Sequence, residues 1–231
     1  MTKVQLTPIE ELEGSLAQRV YLSLQEAIIK LEYPPGTILR KGQICEQLRV
    51  SRSPVAEAIA RLSADRLVDV IPQSASRVSE FSMDDLREAC FLREALELAV
   101  IAKVAENRTK DQLLQLTREV RMQFLMIEDG DLEGFYRSDE AFHDLLMNFT
   151  GFPGVVSMAS MIELRLDRAR MLILPEEGRA MSAAQEHQKI LEAIKKQDSS
   201  LAQKRMKEHL DHVLIHFVSL ELTHPTYFKT K

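Results

Sequence analysis

At 231 residues, 45% hydrophobic and 28% charged, the chain has the ordinary make-up of two globular domains with real cores, or of one large one. No apolar run approaches the ~20 residues needed to cross a bilayer, and the opening MTKVQLTPIEELEGS lacks a leader's basic-then-apolar layout. The two cysteines, Cys45 and Cys90, fall inside helical patterns. They read as small core residues in a reduced, cytoplasmic protein and argue against a disulfide framework. The net charge of −5 is unevenly spread: residues 1–79 carry 10 Lys/Arg against 9 Asp/Glu, and the remainder 20 against 26. Within 39–61, Arg40, Lys41, Arg49, Arg52 and Arg61 face only Glu46 and Glu57, a local positive patch of the kind phosphate contact requires.

In chain order, Val20–Leu31 is a helical pattern, Pro34-Pro35-Gly36 a hard turn and Thr37–Leu39 a short extended piece. Lys41–Leu48 reads as a short helix. The stretch VSRSPVAEAIARLSADRLV, Val50–Val68, then organises this half. Ser51 or Ser53 can cap a helix, Pro54 fits a first turn, and Val55, Ala58, Ile59 and Leu62 recur at helical spacing toward a core. Ser51, Arg52 and Ser53 then project from the N-terminal end, where backbone N–H groups and short polar side chains meet phosphate and an arginine reaches a guanine edge. Taken alone, the stretch could equally be a capped surface helix. Downstream, Leu67–Ile71 and Arg77–Phe81 pair as a hairpin around residues 72–76, completing a winged helix-turn-helix order. The candidate DNA contacts are Arg40, Lys41, Ser51, Arg52 and Ser53, with Ser74 and Arg77 on the wing.

Residues 15–80 resemble the DNA-binding domain of the GntR family of bacterial transcription regulators. The likeness rests on Pro34–Gly36, the VSRSPV run at Val50–Val55, the EAIARL run at Glu57–Leu62, and Leu67-Val68 before the wing. Four positions depart from the family's usual residues: Gly42 and Ala56 stand where arginine is usual, and Arg66 and Ala75 where glycine is. Two family DNA-contacting arginines are thus missing, while Arg52 remains.

A boundary falls at Ser79–Asp84, dividing a DNA-binding domain (residues 1–79) from a second domain (80–231). Ser82 with Asp84 and Asp85 marks a helix start. From there the chain reads as six antiparallel helices, roughly Met83–Asn107, Lys110–Glu128, Asp131–Asn148, Gly154–Ile173, Glu176–Lys196 and Ser200–Leu222. The fold expected is therefore mainly α, a winged helix-turn-helix followed by a six-helix bundle. The Met-rich run at 122–126 reads as ordinary core, and the tail from Thr223 as loosely held.

Polar residues interrupt the bundle's apolar stripes. Asp139 and His143 stand four apart, on one helix face with Tyr136 and Leu146. His187 lies among Ala183, Ala184, Ile190, Leu191 and Ile194, and His209 among Met206, Leu210, Val213 and Phe217. One such histidine is more often a hydrogen-bonded core residue. A carboxylate and three histidines together match the ligands of a divalent transition metal, which would relieve the cost of burying them.

Residues 83–222 also resemble the FCD-type effector domain of the FadR-like GntR subgroup, through Asp139-x-x-Phe142-His143, Glu186-His187 with Ile190 and Ala193-Ile194, Met206-x-x-His209-Leu210, and Arg93-x-x-x-Glu97. In metal-binding members these positions supply one aspartate and three histidines, here Asp139, His143, His187 and His209. His212 and His216 form a competing pair off the family's position. Arg93 and Arg165 also fall on core-facing stripes. Each needs an acid partner, Glu97 or Asp139 for instance, or is a bidentate clamp for a carboxylate effector beside the metal. Arg168 and Arg170 read as solvated.

The resemblance implies a dimeric, DNA-binding regulator, by default a repressor, that senses a small organic acid through a bound Zn, Mn or Ni ion and has no catalytic role. Two competing readings are a metal-dependent hydrolase, with an open coordination position activating water, and an interaction module whose helix-turn-helix no longer binds DNA.

Overall fold

The computed structural model describes Val4 and residues 6–71 and 75–229. The chain forms two compact units, one made of residues up to Leu86 with the tail from Glu221, the other of Arg87–Leu220. Among the described residues it is mainly helical, with nine α-helices and one small sheet.

In the first unit, α1 (Leu16–Ile29) starts four residues earlier than its hydrophobic pattern, because Ser15 accepts the Gln18 amide at 3.2 Å and caps it. It buries Val20, Leu24 and Ile28 against α3. The turn at Pro34–Gly36 needs its glycine, whose φ is 83°. It leads into β1 (Ile38–Leu39), α2 (Lys41–Leu48) and α3 (Arg52–Ala64). Val55, Ala58, Ile59 and Leu62 of α3 are buried, as their spacing predicts. Ser51 occupies the cap position, yet its side chain makes no capping bond, and Ser53 lies inside the first turn. Arg66, which replaces a glycine usual at this position, adopts φ 59°, the left-handed region that explains the glycine preference.

The wing is a three-stranded antiparallel sheet in the order β1-β3-β2, from β2 (Val68–Val70) and β3 (Ser76–Val78), with Asp69 opposite Arg77 and Ile38 opposite the same Arg77. The extended piece at 37–39 thus joins the hairpin as a third strand. β3 ends at Val78 rather than continuing to Phe81. Phe81 instead pairs with the C-terminal tail: its amide donates to the Tyr227 carbonyl at 2.8 Å, and its carbonyl accepts from the Lys229 amide at 2.9 Å. The tail expected to be loose therefore turns through Pro225–Tyr227 and buries Phe228.

The helices α4 (Met83–Asn107), α5 (Lys110–Glu128), α6 (Leu132–Phe149), α7 (Pro153–Ile173), α8 (Arg179–Lys195) and α9 (Ser199–Thr223) follow. Their ends follow from local chemistry. Thr109 and Gln112 form a reciprocal capping box, Asp131 accepts the Gly134 amide at 2.7 Å, and Gly178, at φ 75°, delays α8 to Arg179. In the second unit α5 packs on α6 and α8, with Ile101, Leu116, Val120, Phe142, Leu146, Ile190 and Met206 among its core residues. Two helices present faces other than those expected. Met158 and Met161 of α7, in line with Arg165 on the stripe expected to face the core, are exposed while Leu166, Ala169, Arg170 and Ile173 are buried, and Met122 and Leu125 of α5 are exposed while Gln123 is buried. Both helices carry apolar residues around much of their circumference, so periodicity alone left their inward direction open.

Candidate metal centre

Asp139 and His143 lie one turn apart on α6, His187 on α8 and His209 on α9. All three imidazoles are buried, and one nitrogen from each lies within 4.8 Å of the others. The tautomers follow from their partners. His143 Nδ1 is 2.7 Å from Glu97 Oε2, and His209 Nδ1 is 2.8 Å from Glu186 Oε2, and a carboxylate only accepts. Gln123 Nε2 donates to the Ser138 carbonyl at 3.2 Å, which fixes the amide so that Gln123 Oε1 accepts from His187 Nδ1 at 2.9 Å. Each Nδ1 is therefore a donor, which in the neutral imidazole leaves the lone pair on Nε2.

These lone pairs meet. His187 Nε2 and His209 Nε2 are 3.3 Å apart, and His143 Nε2 is buried without a hydrogen-bond partner. Asp139 Oδ1 is 3.8 Å from His187 Nε2, while its Oδ2 accepts from Arg170. Converging lone pairs beside a carboxylate are mutually repulsive until a cation or proton lies between them. Burial, joined by His209 for His187, pushes both His187 and His209 below the usual imidazole range, so the neutral ligand form is favoured. Burial would raise Asp139, but Arg170 and the imidazoles outweigh it and hold the carboxyl ionised. Glu97 is likewise held down by His143 and Arg93 against its burial, and Glu186 is lowered to about 2, its burial outweighed by His209. The donor set suits a divalent transition metal, with a carboxylate or amide behind every imidazole to orient it and raise its basicity.

Beside Asp139 and His209 is a small cavity of about 30 Å³, lined by Arg93, Arg170 and Arg179 and by Phe135, Ile173 and Val213 among others. Arg93 donates to Glu97 at 2.6 Å, and its Nη2 is buried with no hydrogen-bond partner. Arg179 is 3.8 Å from Glu186. The structure does not bring Arg165 here: its guanidinium pairs with Glu88 at 2.6 Å. Arg170, expected in solvent, is buried against Asp139 and Asp167, with its guanidinium 4.9 Å from the Tyr136 ring centroid, and Arg168 is buried as well. Arg170 follows Leu166 and precedes Ile173 on a stripe adjacent to Arg165's, and choosing between the two stripes required knowing α7's rotation. Gln123 had a readable signal, as a polar residue in line with Leu116 and Val120.

On the first unit, Arg40, Lys41, Ser51, Arg52 and Ser53 are exposed. Arg77 is half-buried and 4.0 Å from Glu80. Ser74 lies outside the described residues. Gly42 and Ala56 are both exposed, and a side chain at Gly42 would meet open space. The missing arginines therefore leave uncharged surface rather than a cavity.

Residues 16–78 match the model of the bacterial regulatory proteins of the gntR family, and residues 88–212 match the FCD domain. The chain belongs to the GntR family and carries an FCD domain; it is a transcription regulator, not an enzyme. It is 28% identical over 211 residues to the HTH-type transcriptional repressor RspR of Escherichia coli K12, covering 91% of each chain. It is 32% identical over 218 residues to an uncharacterised HTH-type regulator in an unstable DNA locus of Streptomyces ambofaciens, covering 91% of this chain and 89% of that one. The solved structure of E. coli McbR/YncC shares the fold at a TM-score of 0.76 and 24% identity, over 90% of this chain and 99% of that one.

Proposed function

We propose that this chain is a repressor that binds its operator as a homodimer, holds a divalent metal ion in its helical domain and is released by a small organic acid. In this reading residues 1–79 bind DNA, and residues 80–231 hold the metal and effector and dimerise. The observation that carries it is the meeting of one nitrogen each from His143, His187 and His209 within 4.8 Å of one another, with Asp139 Oδ1 3.8 Å from His187 Nε2 and Glu97, Gln123 and Glu186 behind the imidazoles. Asp139, His143, His187 and His209 would hold one Zn, Mn or Ni ion through these atoms. When bound, the ion supplies positive charge that attracts a carboxylate. A fifth or sixth coordination position is needed for the effector, because four protein ligands close a tetrahedron.

The cavity's chemistry supports a carboxylate. Arg93 has a buried donor without a partner, and Arg170 and Arg179 add two further cations. Arg165 belongs to the Glu88 ion pair in this reading, not to the effector site. Arg52, with Ser51 and Ser53, meets the operator at the N-terminal end of α3, and Arg40, Lys41, Ser74 and Arg77 contact phosphate or the wing's groove. A dimer supplies the affinity that one weakly charged module lacks, and the half-sites form a pseudo-palindrome. Repression follows the sign of RspR, and a DNA-bound role implies the cytoplasm.

The test is metal content by elemental analysis, with operator titrations in zinc and in EDTA, for wild type and His187→Ala. Wild type should hold about one ion per chain, and the variant should lose it while binding the operator as metal-free wild type does. Equal metal content in the two proteins would reduce the four residues to a core hydrogen-bond network.

A further inference from the structure

The chain passes between its two compact units inside α4 and again inside α9. α9 begins in the helical unit, carries His209, and ends at Thr223; the tail beyond it folds with the first unit. There Phe228 is 6% exposed and Phe81 2%, with ring centroids 5.3 Å apart. Phe81 uses both its amide and its carbonyl on Tyr227 and Lys229. Just upstream, the Ser79 amide donates to the Leu67 carbonyl at 3.0 Å and its hydroxyl to Asp69 at 2.9 Å, at the entrance to β2 and close behind α3. Just downstream, Ser82 accepts the Asp85 amide at 3.3 Å as α4 begins.

We propose that residues 224–229 are a coupling strap and that Phe228 is a positioning residue, tying the helix that bears His209 to Phe81 at the exit of the wing. The inference rests on the metal centre read above. A bound ion fixes His209, and from His209 to Thr223 the helix runs about 21 Å without a break, at 1.5 Å per residue. A displacement or stiffening of α9 therefore reaches the tail through a rigid element instead of dissipating in a loop. At Phe81 it meets backbone hydrogen-bonded on both sides, where a shift of the strap must move Phe81 or break those bonds. Through Ser79 the movement continues to the strand that follows the recognition helix. The covalent link between the sensing helices and residues up to Leu86 runs through α4, and the attached tail adds a non-covalent hold at Phe81. A chain of contacts becomes a coupling route only when both ends are shown to respond, which sets the experiment.

Hydrogen–deuterium exchange is measured on the full chain, zinc-loaded and EDTA-treated, for wild type, Phe228→Ala and Phe228→Leu. In wild type, zinc should slow exchange in the segment containing His209 and also at the amides of Phe81 and Lys229, by about 5–150-fold if the coupling is of ordinary allosteric size. Phe228→Ala should keep the zinc effect at His209 and lose it at Phe81, while Phe228→Leu, which retains an apolar contact, should keep part of both. A strap of purely structural value would give Phe81 protection in wild type that is the same in zinc and in EDTA, and that result overturns the proposal. So does full zinc dependence at Phe81 in Phe228→Ala, because the signal would then travel by another route. Zinc with no effect on the His209 segment of wild type would instead bring down the metal reading, and the coupling with it.

Discussion

In the first unit the candidate contacts Arg40, Lys41, Arg52 and Ser53 stand exposed at the ends of short helices, over a core of Val55, Ile59 and Leu62 that does not need them. In the helical unit the candidate groups are themselves part of the core. His143 and His187 are 0% exposed, Glu97 is 1%, and Arg93 and Arg170 are buried beside them. Each is held by a partner that is itself buried: Glu97 serves both Arg93 and His143, and Asp139 faces both Arg170 and His187. A surface group can be removed and leave a solvated gap, whereas a buried ion pair broken on one side leaves an uncompensated charge. In the one unit function and stability are therefore separable, and in the other they are bound together.

The largest effect that would sharpen this contrast is expected from Glu97→Ala. It strands the Arg93 guanidinium and the His143 Nδ1 donor, and should lower the unfolding free energy of metal-free protein by about 3–5 kcal/mol. Urea denaturation measures it, and a loss below about 1 kcal/mol would break the comparison, since a value that small belongs to surface pairs. Arg52→Ala comes next. It should cost about 1–3 kcal/mol of specific operator binding with no change in the urea midpoint. Unaltered operator affinity would remove α3 from the DNA interface, and a lowered midpoint would erase the distinction between the units.

The smallest effect tests the acids around Arg170. Burial, with Asp167 nearby, pushes Glu140 up to about 7 from an ordinary 4.5. Between those values the folded chain keeps a proton that the unfolded chain has released, so Glu140 costs stability as pH rises through the window, and fully so above it. Glu140→Gln should therefore match wild type below pH 4.5 and exceed it by about 1 kcal/mol at pH 8, discounted from the full shift for partial exposure. Thermal unfolding of both proteins across that range decides it; a pH-independent difference would mean that Glu140 titrates as an ordinary surface acid.

Local chemistry made the first unit readable. The proline-glycine turn, the Val55–Leu62 stripe and the alternating wing residues each act within a few neighbours, so sequence placed α2, α3 and the hairpin and put Arg52 at an exposed helix end. The six bundle helices were legible for the same reason, through their caps and 3.6-residue periodicity. So was the inward placing of Asp139, His143, His187 and His209, because a histidine on an otherwise apolar stripe must find a partner wherever it ends up.

What sequence left open was decided by rotation and by distance along the chain. Whether Arg165 or Arg170 faces inward depends on how α7 turns about its axis, and an apolar circumference gives no preference until its neighbours pack. Gln123 is a partner of His187 only because α5 lies against α8, 64 residues away in sequence. The tautomers that turn three Nε2 atoms toward one point come from Glu97, Gln123 and Glu186 on three different helices. Phe228 looked like a loose end because nothing near it in sequence can bury it; its partner, Phe81, lies at the other end of the helical domain's chain.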